Sequence, residues 1–194
     1  MNGPYDLVAP PHRTYRNPDY VRSSFCGSCH QKTYKEWQET RVEDTCQNCH
    51  MPRKKDRLTE NFPLSLLHKK KWVGNHKFLH GDLTEKDILL ESGFKDKFFN
   101  FNLINKTVPH NVPSADNGDP RLYLYITFLN ADGEQVDQTK EILAPQQDTA
   151  LPFNKKVRFQ YRLFDSVAQA DIVLKYQPAW SKEKNVVWAK TIRP

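Results

Sequence analysis

All four cysteines of the chain fall in two pentapeptides of one form, Cys26-Gly-Ser-Cys29-His30 and Cys46-Gln-Asn-Cys49-His50. Cys-x-x-Cys-His is the attachment site of c-type haem. The two thiols add across the two vinyl groups of one porphyrin, and the adjoining histidine reaches the iron as its proximal ligand. Two intervening residues set the sulfurs about one vinyl-to-vinyl span apart, and the next position puts an imidazole under the ring. The spacing therefore implies two covalently attached haem c groups, held by Cys26, Cys29, His30, Cys46, Cys49 and His50. A chain that carries porphyrins can manage with little secondary structure around them, because each ring face is itself apolar surface to bury.

Other chemistries compete for the same residues. The sixteen residues between Cys29 and Cys46 fit a zinc ribbon of two Cys-x-x-Cys pairs, in which four thiolates close a tetrahedral site. That arrangement leaves both following histidines without a task. A redox dithiol needs only one pair, and two short disulfides explain neither histidine. Histidine directly after both pairs favours haem.

No apolar run approaches the roughly 20 residues of a membrane-spanning helix, so the chain is read as not membrane-spanning. Met1-Asn-Gly-Pro-Tyr5 lacks the basic start and apolar stretch of a signal peptide. Haem attachment of this kind takes place outside the cytoplasmic membrane. The expected location is therefore periplasmic or extracellular, with the targeting segment removed or the chain forming part of a longer exported protein. The formal net charge is +6, and part of that surplus is expected to meet haem propionates. Arg53-Lys54-Lys55 and Lys69-Lys70-Lys71 are the densest basic runs and read as solvated surface. No nucleic-acid-binding motif accompanies them.

The two halves differ in pattern, and the expected fold class is α+β. Residues 1–98 read as a loop-rich dihaem module with short helices. Pro10, Pro11 and Pro18 hold the amino-terminal arm extended. Gln31 to Glu43 has helical spacing, which lets Tyr34 or Trp37 lie against a haem edge, with ordinary core packing the alternative for Trp37. Thr84 caps a second short helix through about Ser92, with Glu85 and Asp87 in its first turn. Residues 99–194 read as an antiparallel β-sandwich. Its strands are expected at Phe98–Ile104, Leu122–Leu129, Val157–Leu163, Asp171–Tyr176 and Val186–Ala189. A further strand around Gln135–Leu143 follows a turn at Asp132-Gly133.

Each iron keeps one axial position beyond its proximal histidine. Met51 directly follows His50 and cannot reach over the same ring, which leaves His12, His68, His76, His80 and His110. Bis-histidine ligation implies lower potentials than His/Met ligation, which suits anaerobic respiratory chains. His68 and His80 read as ordinary polar surface. His110 stands between Pro109 and Pro113, in a loop stiff enough to hold a ligand still.

A series of local motifs follows in order: Pro11-His12-Arg13-Thr14, Phe25-Cys-Gly-Ser-Cys-His30, Tyr34-Lys-Glu-Trp37, Thr45-Cys-Gln-Asn-Cys-His-Met-Pro52, Asn75-His-Lys-Phe78 and His110-Asn-Val-Pro-Ser114. This series resembles a group of exported multihaem c-type cytochromes, related to the large families that serve nitrogen-compound and metal respiration. The resemblance covers roughly residues 10–130 and is most specific at Cys-Gln-Asn-Cys-His-Met-Pro. It implies haem modules that precede a β-rich domain, with His12, His76 and His110 at positions where the family often keeps distal ligands. One departure stands out. Many relatives read Trp-x-x-Ser-x-His between the two haem sites, with that histidine on iron, whereas here Thr40 and Val42 occupy those places.

Three matched histidines for two irons leave one to cross to a haem in a neighbouring subunit or partner chain. The function expected is electron transfer between redox partners, in an anaerobic respiratory or extracellular chain, with no catalysis. Its partners would be other redox proteins or neighbouring copies of the chain, the latter as a repeating unit of a polymeric cytochrome. The alternatives are a haem enzyme with one open iron position and a zinc-ribbon interaction protein. Tyr176, Trp180, Lys182, Lys184 and Trp188 give the carboxy terminus an aromatic and basic character that suits either an interface or strand packing.

Overall fold

A computed structural model describes residues 2–5, 13–59, 61–75 and 82–194. The chain divides into two compact units, residues 1–34 with 42–81, and residues 35–41 with 82–194.

In the first unit, strand β1 (Asn2–Gly3) pairs in parallel with β2 (Tyr15–Arg16). Three helices follow, α1 (Ser23–Gly27), α2 (Gln31–Thr40) and α3 (Cys46–His50). Strands β3 (Arg53–Asp56) and β4 (Lys71–Gly74) form an antiparallel ribbon, with the Arg53-Lys54-Lys55 run in β3 and the Lys69-Lys70-Lys71 run leading into β4. Helix α2 was expected to reach Glu43 but stops at Thr40, because Arg41 takes a left-handed φ of 57°. Such a residue ends a helix by turning the chain out of its hydrogen-bond ladder.

The described residues of this unit form almost no protein core. Among its described residues only Ser23, Ser65 and Val73 are buried. Tyr15, Phe25, Phe62, Leu66, Leu67 and Trp72 are all exposed, Phe62 and Leu67 at 80 %. Small folds that cannot bury enough apolar side chain need a staple or a prosthetic group.

The second unit is built the opposite way. Strands β5 (Ile88–Lys95), β6 (Phe98–Asn105) and β9 (Lys156–Arg162) form one antiparallel sheet in the order β5-β6-β9. Strands β7 (Arg121–Leu129), β8 (Gln135–Leu143), β10 (Gln169–Gln177) and β11 (Asn185–Ile192) form the other, in the order β11-β10-β7-β8. The two sheets share one apolar core. Phe99, Phe101 and Leu103 of β6 are buried in it with Leu122, Leu124, Ile126 and Phe128 of β7 and Ile172 and Leu174 of β10. The period-two burial follows from the pleat, which sends alternate side chains to one face. Each fully buried side chain of this size contributes about 1.5–3 kcal/mol. Phe99 meets Phe128 edge-on at 5.8 Å, joining the sheets.

The expected helix from Thr84 to Ser92 is absent. The capping turn itself forms, with Thr84 N–H and Thr84 Oγ1 both donating to Asp87 Oδ2 at 2.8 Å. The chain then enters β5 rather than a helix. A two-residue turn at Asp96-Lys97, with Asp96 at φ 54°, pairs Ile88–Lys95 against Phe98–Asn105 over its whole length. That pairing overrides local helix propensity and buries Ile88 completely. The second unit accordingly takes in residues 82–194 together with 35–41. The turn at Asp132-Gly133 forms as expected, with Gly133 at φ 82°. Asn130 Oδ1 there accepts from Asp132 N–H at 3.0 Å and Glu134 N–H at 2.9 Å. Among the described residues no helix is long and apolar enough to cross a membrane.

Candidate haem-attachment site

Each Cys-x-x-Cys-His peptide folds as a single helical turn. At the end of α1 the N–H groups of Cys29 and His30 donate to Cys26 O at 3.1 and 2.9 Å. Cys26 and Cys29, three apart, therefore share one face of the turn. Helix α2 continues directly from the motif, with Tyr34 N–H donating to His30 O at 2.9 Å. Helix α3 is the second motif itself. Thr45 caps it, its Oγ1 accepting from Asn48 N–H at 3.2 Å.

The two turns are docked on each other. Cys46 N–H donates to Oγ of buried Ser23 at 3.1 Å, tying the first residue of α3 to the first residue of α1. Gln47 Nε2 donates to Tyr20 O at 3.2 Å and Arg22 O at 2.8 Å on the segment leading into α1. Burial, then the Cys46 neighbour, pushes the Cys26 thiol up from its ordinary value. Burial, then Asp44 and Cys46, does the same to Cys49. None of the four cysteines is in a disulfide, and Cys29, Cys49 and His30 are exposed while His50 is partly buried.

Gly27, inside the first motif, is required by a close approach. A β-carbon there would stand 2.5 Å from the Tyr34 ring, so that ring packs on bare motif backbone. Tyr34 thus lies against the backbone of the first Cys-x-x-Cys-His turn. The donor set fits haem c: paired thiols on one face of a turn, an adjoining imidazole, and apolar side chains such as Phe25 exposed beside it. Among the described residues no group of three or more His, Cys, Asp or Glu side chains converges as a metal site.

Of the candidate distal ligands, His12 and His76 lie outside the described residues, as does His80. His68 is partly exposed after the 3₁₀ turn Leu64–Leu67. His110 belongs to the second unit and is held with unusual firmness. Its Nδ1 lies 2.8 Å from Asn111 O, and because a carbonyl only accepts, Nδ1 carries the proton. That tautomer puts the imidazole lone pair on Nε2, as metal-ligating histidines require. Burial holds His110 below its ordinary pKa, which keeps the ring neutral.

The loop around His110 is fixed from three sides. Asn105 is completely buried at the end of β6, and its Nδ2 donates to Val108 O at 2.9 Å and His110 O at 2.7 Å. Val112 exchanges both backbone hydrogen bonds with Leu151, at 2.9 and 2.8 Å. Glu36 Oε2, on the part of α2 that belongs to this unit, accepts from Asn111 N–H and Ser114 Oγ. Sequence reasoning missed both Asn105 and Glu36. Asn105 left a trace, being the polar residue at the inward register that follows Phe99, Phe101 and Leu103. Glu36 left none.

No family profile matches the sequence, and no curated protein matches it. Among solved structures, the Northeast Structural Genomics Consortium target SoR45 aligns over 58% of this chain and 89% of its own at 9% identity, with a TM-score of 0.28, too low to bear on the fold. The chain spans 62% of the length of the penta-haem cytochrome c552 from Thermochromatium tepidum, which it resembles in fold over 99% of its own length at a TM-score of 0.64 and 18% identity: the fold is multihaem-cytochrome-like.

Proposed function

We propose that this chain is a dihaem c-type cytochrome module that passes electrons between redox partners outside the cytoplasmic membrane. The observation that carries this reading is the pair of Cys-x-x-Cys-His turns docked on each other in a unit that buries so little protein of its own. The likeness of fold to a penta-haem cytochrome supports it. When bound, haem supplies a one-electron couple whose potential is set by its axial ligands and burial.

The chain's own residues have four tasks in this reading. Cys26 and Cys29 anchor one ring, and Cys46 and Cys49 the other. His30 and His50 supply the proximal imidazoles. Ser23 and Gln47 hold the two attachment turns adjacent, which keeps the rings neighbours and the electron transfer between them short-ranged. His110, with its neutral ring and Nδ1 proton engaged, serves as one distal ligand, and His12 and His76 are the other candidates. Three such histidines for two irons leave one for a haem of a neighbouring copy or partner chain. With both axial positions filled, the module carries electrons and does no catalysis. Its setting is an anaerobic respiratory or extracellular electron-transfer chain, periplasmic or extracellular, with other redox proteins or further copies as partners.

The test is a reduced pyridine-haemochrome spectrum with a denatured mass, on protein made in a host with c-type maturation. A c-type spectrum and a mass raised by two haems is the expected result. Protein without haem but with stoichiometric zinc would overturn it in favour of a zinc-ribbon interaction protein. A ferric high-spin haem that binds nitrite or hydroxylamine would instead favour the enzyme with an open iron position.

A further inference from the structure

On the outer face of the β11-β10-β7-β8 sheet, Tyr123 and Tyr125 of β7 lie with ring centroids 6.4 Å apart and planes nearly parallel at 19°. Three lysines converge on this pair. Lys140 of β8, which sits opposite Tyr125 in the ladder, stands 5.0 Å from the Tyr123 centroid and 5.6 Å from that of Tyr125. Lys175 of β10, opposite Tyr123, stands 5.6 Å from the Tyr125 centroid. Lys184, from the loop before β11, stands 4.1 Å from the Tyr123 centroid.

These distances place Lys140 within about 9 Å of Lys184 and about 11 Å of Lys175, close to one screening length at physiological salt. Elsewhere in the unit Lys97 pairs with Asp165 at 3.0 Å and Lys156 with Glu91 at 2.7 Å. Among the described residues no carboxylate pairs with Lys140, Lys175 or Lys184. Cation–π contact with the tyrosines stabilises each ammonium by about 0.5–1 kcal/mol at an exposed site but does not cancel its charge. Beside them Val186 is 57 % exposed. Tyr123 is itself buried, at 7 % exposure, and backs the partly exposed ring of Tyr125, so the face presents three uncompensated charges around the Tyr125 ring and Val186.

We propose that this face docks a protein partner through a cluster of carboxylates on that partner. The carboxylates replace the missing counter-charges of the three lysines. Tyr125 and Val186 supply the apolar contact, and the Tyr125 ring is already held in place by Lys140 and Lys175 and by Tyr123 beside it. The surface is formed by protein side chains alone and stands independently of what the first unit binds.

The test uses the full chain as purified, with poly-L-glutamate as the probe, its binding followed by NMR or by fluorescence anisotropy of a labelled polymer. The triple variant K140E/K175E/K184E is expected to weaken binding by roughly tenfold or more, with a loss of salt dependence. Tyr125→Ala is expected to weaken it without changing the salt slope. A control of equal charge change, K95E/K106E/K155E, removes exposed lysines elsewhere and is expected to leave most of the binding. The milder K140Q/K175Q/K184Q guards against a folding defect, checked by thermal unfolding. Equal losses in both triple-Glu variants would mean bulk charge and overturn the proposal. Preference of this face for a single-stranded oligonucleotide over poly-L-glutamate would also overturn it.

Discussion

Glu36 and Ser114 are joined by a 2.6 Å hydrogen bond, and the same Glu36 oxygen takes the Asn111 N–H at 3.3 Å. One carboxylate oxygen on α2 thus clamps both ends of the loop that follows His110. The other oxygen, Oε1, is buried and has no hydrogen-bond partner among the described residues. Burying half of a carboxylate without a partner opposes folding, so the two bonds made by Oε2 hold this loop against a standing cost. Glu36→Ala is expected to lower the stability of the unit by about 1–3 kcal/mol in chemical denaturation. In haem-loaded protein it is expected to raise the high-spin ferric fraction in the EPR spectrum, as His110 loses its fixed position. Glu36→Gln, which retains one carbonyl acceptor, should fall between. An EPR spectrum unchanged in both variants would separate the clamp from haem ligation.

Gly27 offers a direct probe of the first attachment turn. A methyl group there meets Tyr34 ring atoms at 2.5, 2.6 and 3.0 Å, and the nearest two belong to the root of the ring rather than to a flexible tip. Gly27→Ala therefore displaces the ring or the motif backbone, at a cost of about 1–3 kcal/mol. Haem incorporation, read from the haem-to-protein absorbance ratio, is expected to fall in Gly27→Ala. It should recover in the double variant Gly27→Ala/Tyr34→Ala, where the methyl has room. Absence of recovery would show that the glycine serves backbone conformation instead.

Where period-two alternation was strong, the sequence was a good guide to the second unit. The strand expected at Gln135–Leu143 is observed with those bounds, and Leu122–Leu129 differs from β7 by one residue. Ile88–Lys95 was misread because a genuine capping turn at Thr84 precedes it, and what makes it a strand is its partner β6 rather than anything local. The two Cys-x-x-Cys-His turns were legible, since the spacing alone sets two thiols and an imidazole on one turn. The way the two turns dock was not. It rests on Ser23 and Gln47, polar residues whose partners lie 23 to 27 positions away along the chain. His110 could be picked as a candidate from its flanking prolines, but Asn105 and Glu36, which hold it, are tertiary contacts that no local pattern encodes.

Trp188 ties the two sheets of the second unit together. Its Nε1–H donates to Ile88 O at 2.9 Å, from β11 to the first residue of β5, with both residues buried. Trp188→Phe removes the donor while keeping most of the apolar body, which leaves the Ile88 carbonyl buried without that partner. The expected loss is about 1–3 kcal/mol, measured by denaturant unfolding. Native-state hydrogen exchange should speed up at the start of β5 before it does elsewhere in the sheet. A uniform change across both sheets would argue that the indole acts through packing rather than through its hydrogen bond.

Asp87 makes the stability of the second unit depend on pH in a predictable direction. Burial pushes its carboxyl up, but hydrogen bonds from the Thr107 and Thr84 hydroxyls and from Thr84 N–H outweigh that, and the net pKa lies below the ordinary 3.8. The folded carboxyl is then the stronger acid, so the unfolded chain binds more protons between the two values. The contribution of Asp87 is complete above the ordinary value and is lost as pH falls through the lower folded one. Asp87→Asn, which cannot accept at both oxygens, should cost about 1 kcal/mol at neutral pH, allowing for screening at a largely solvent-facing group. Urea unfolding of both proteins from pH 7 to pH 3 is the measurement. The gap between them should hold steady down to about pH 5 and narrow below the ordinary carboxyl pKa. A gap that persists undiminished at pH 3 would assign the effect of Asp87 to the geometry of the turn rather than to its charge.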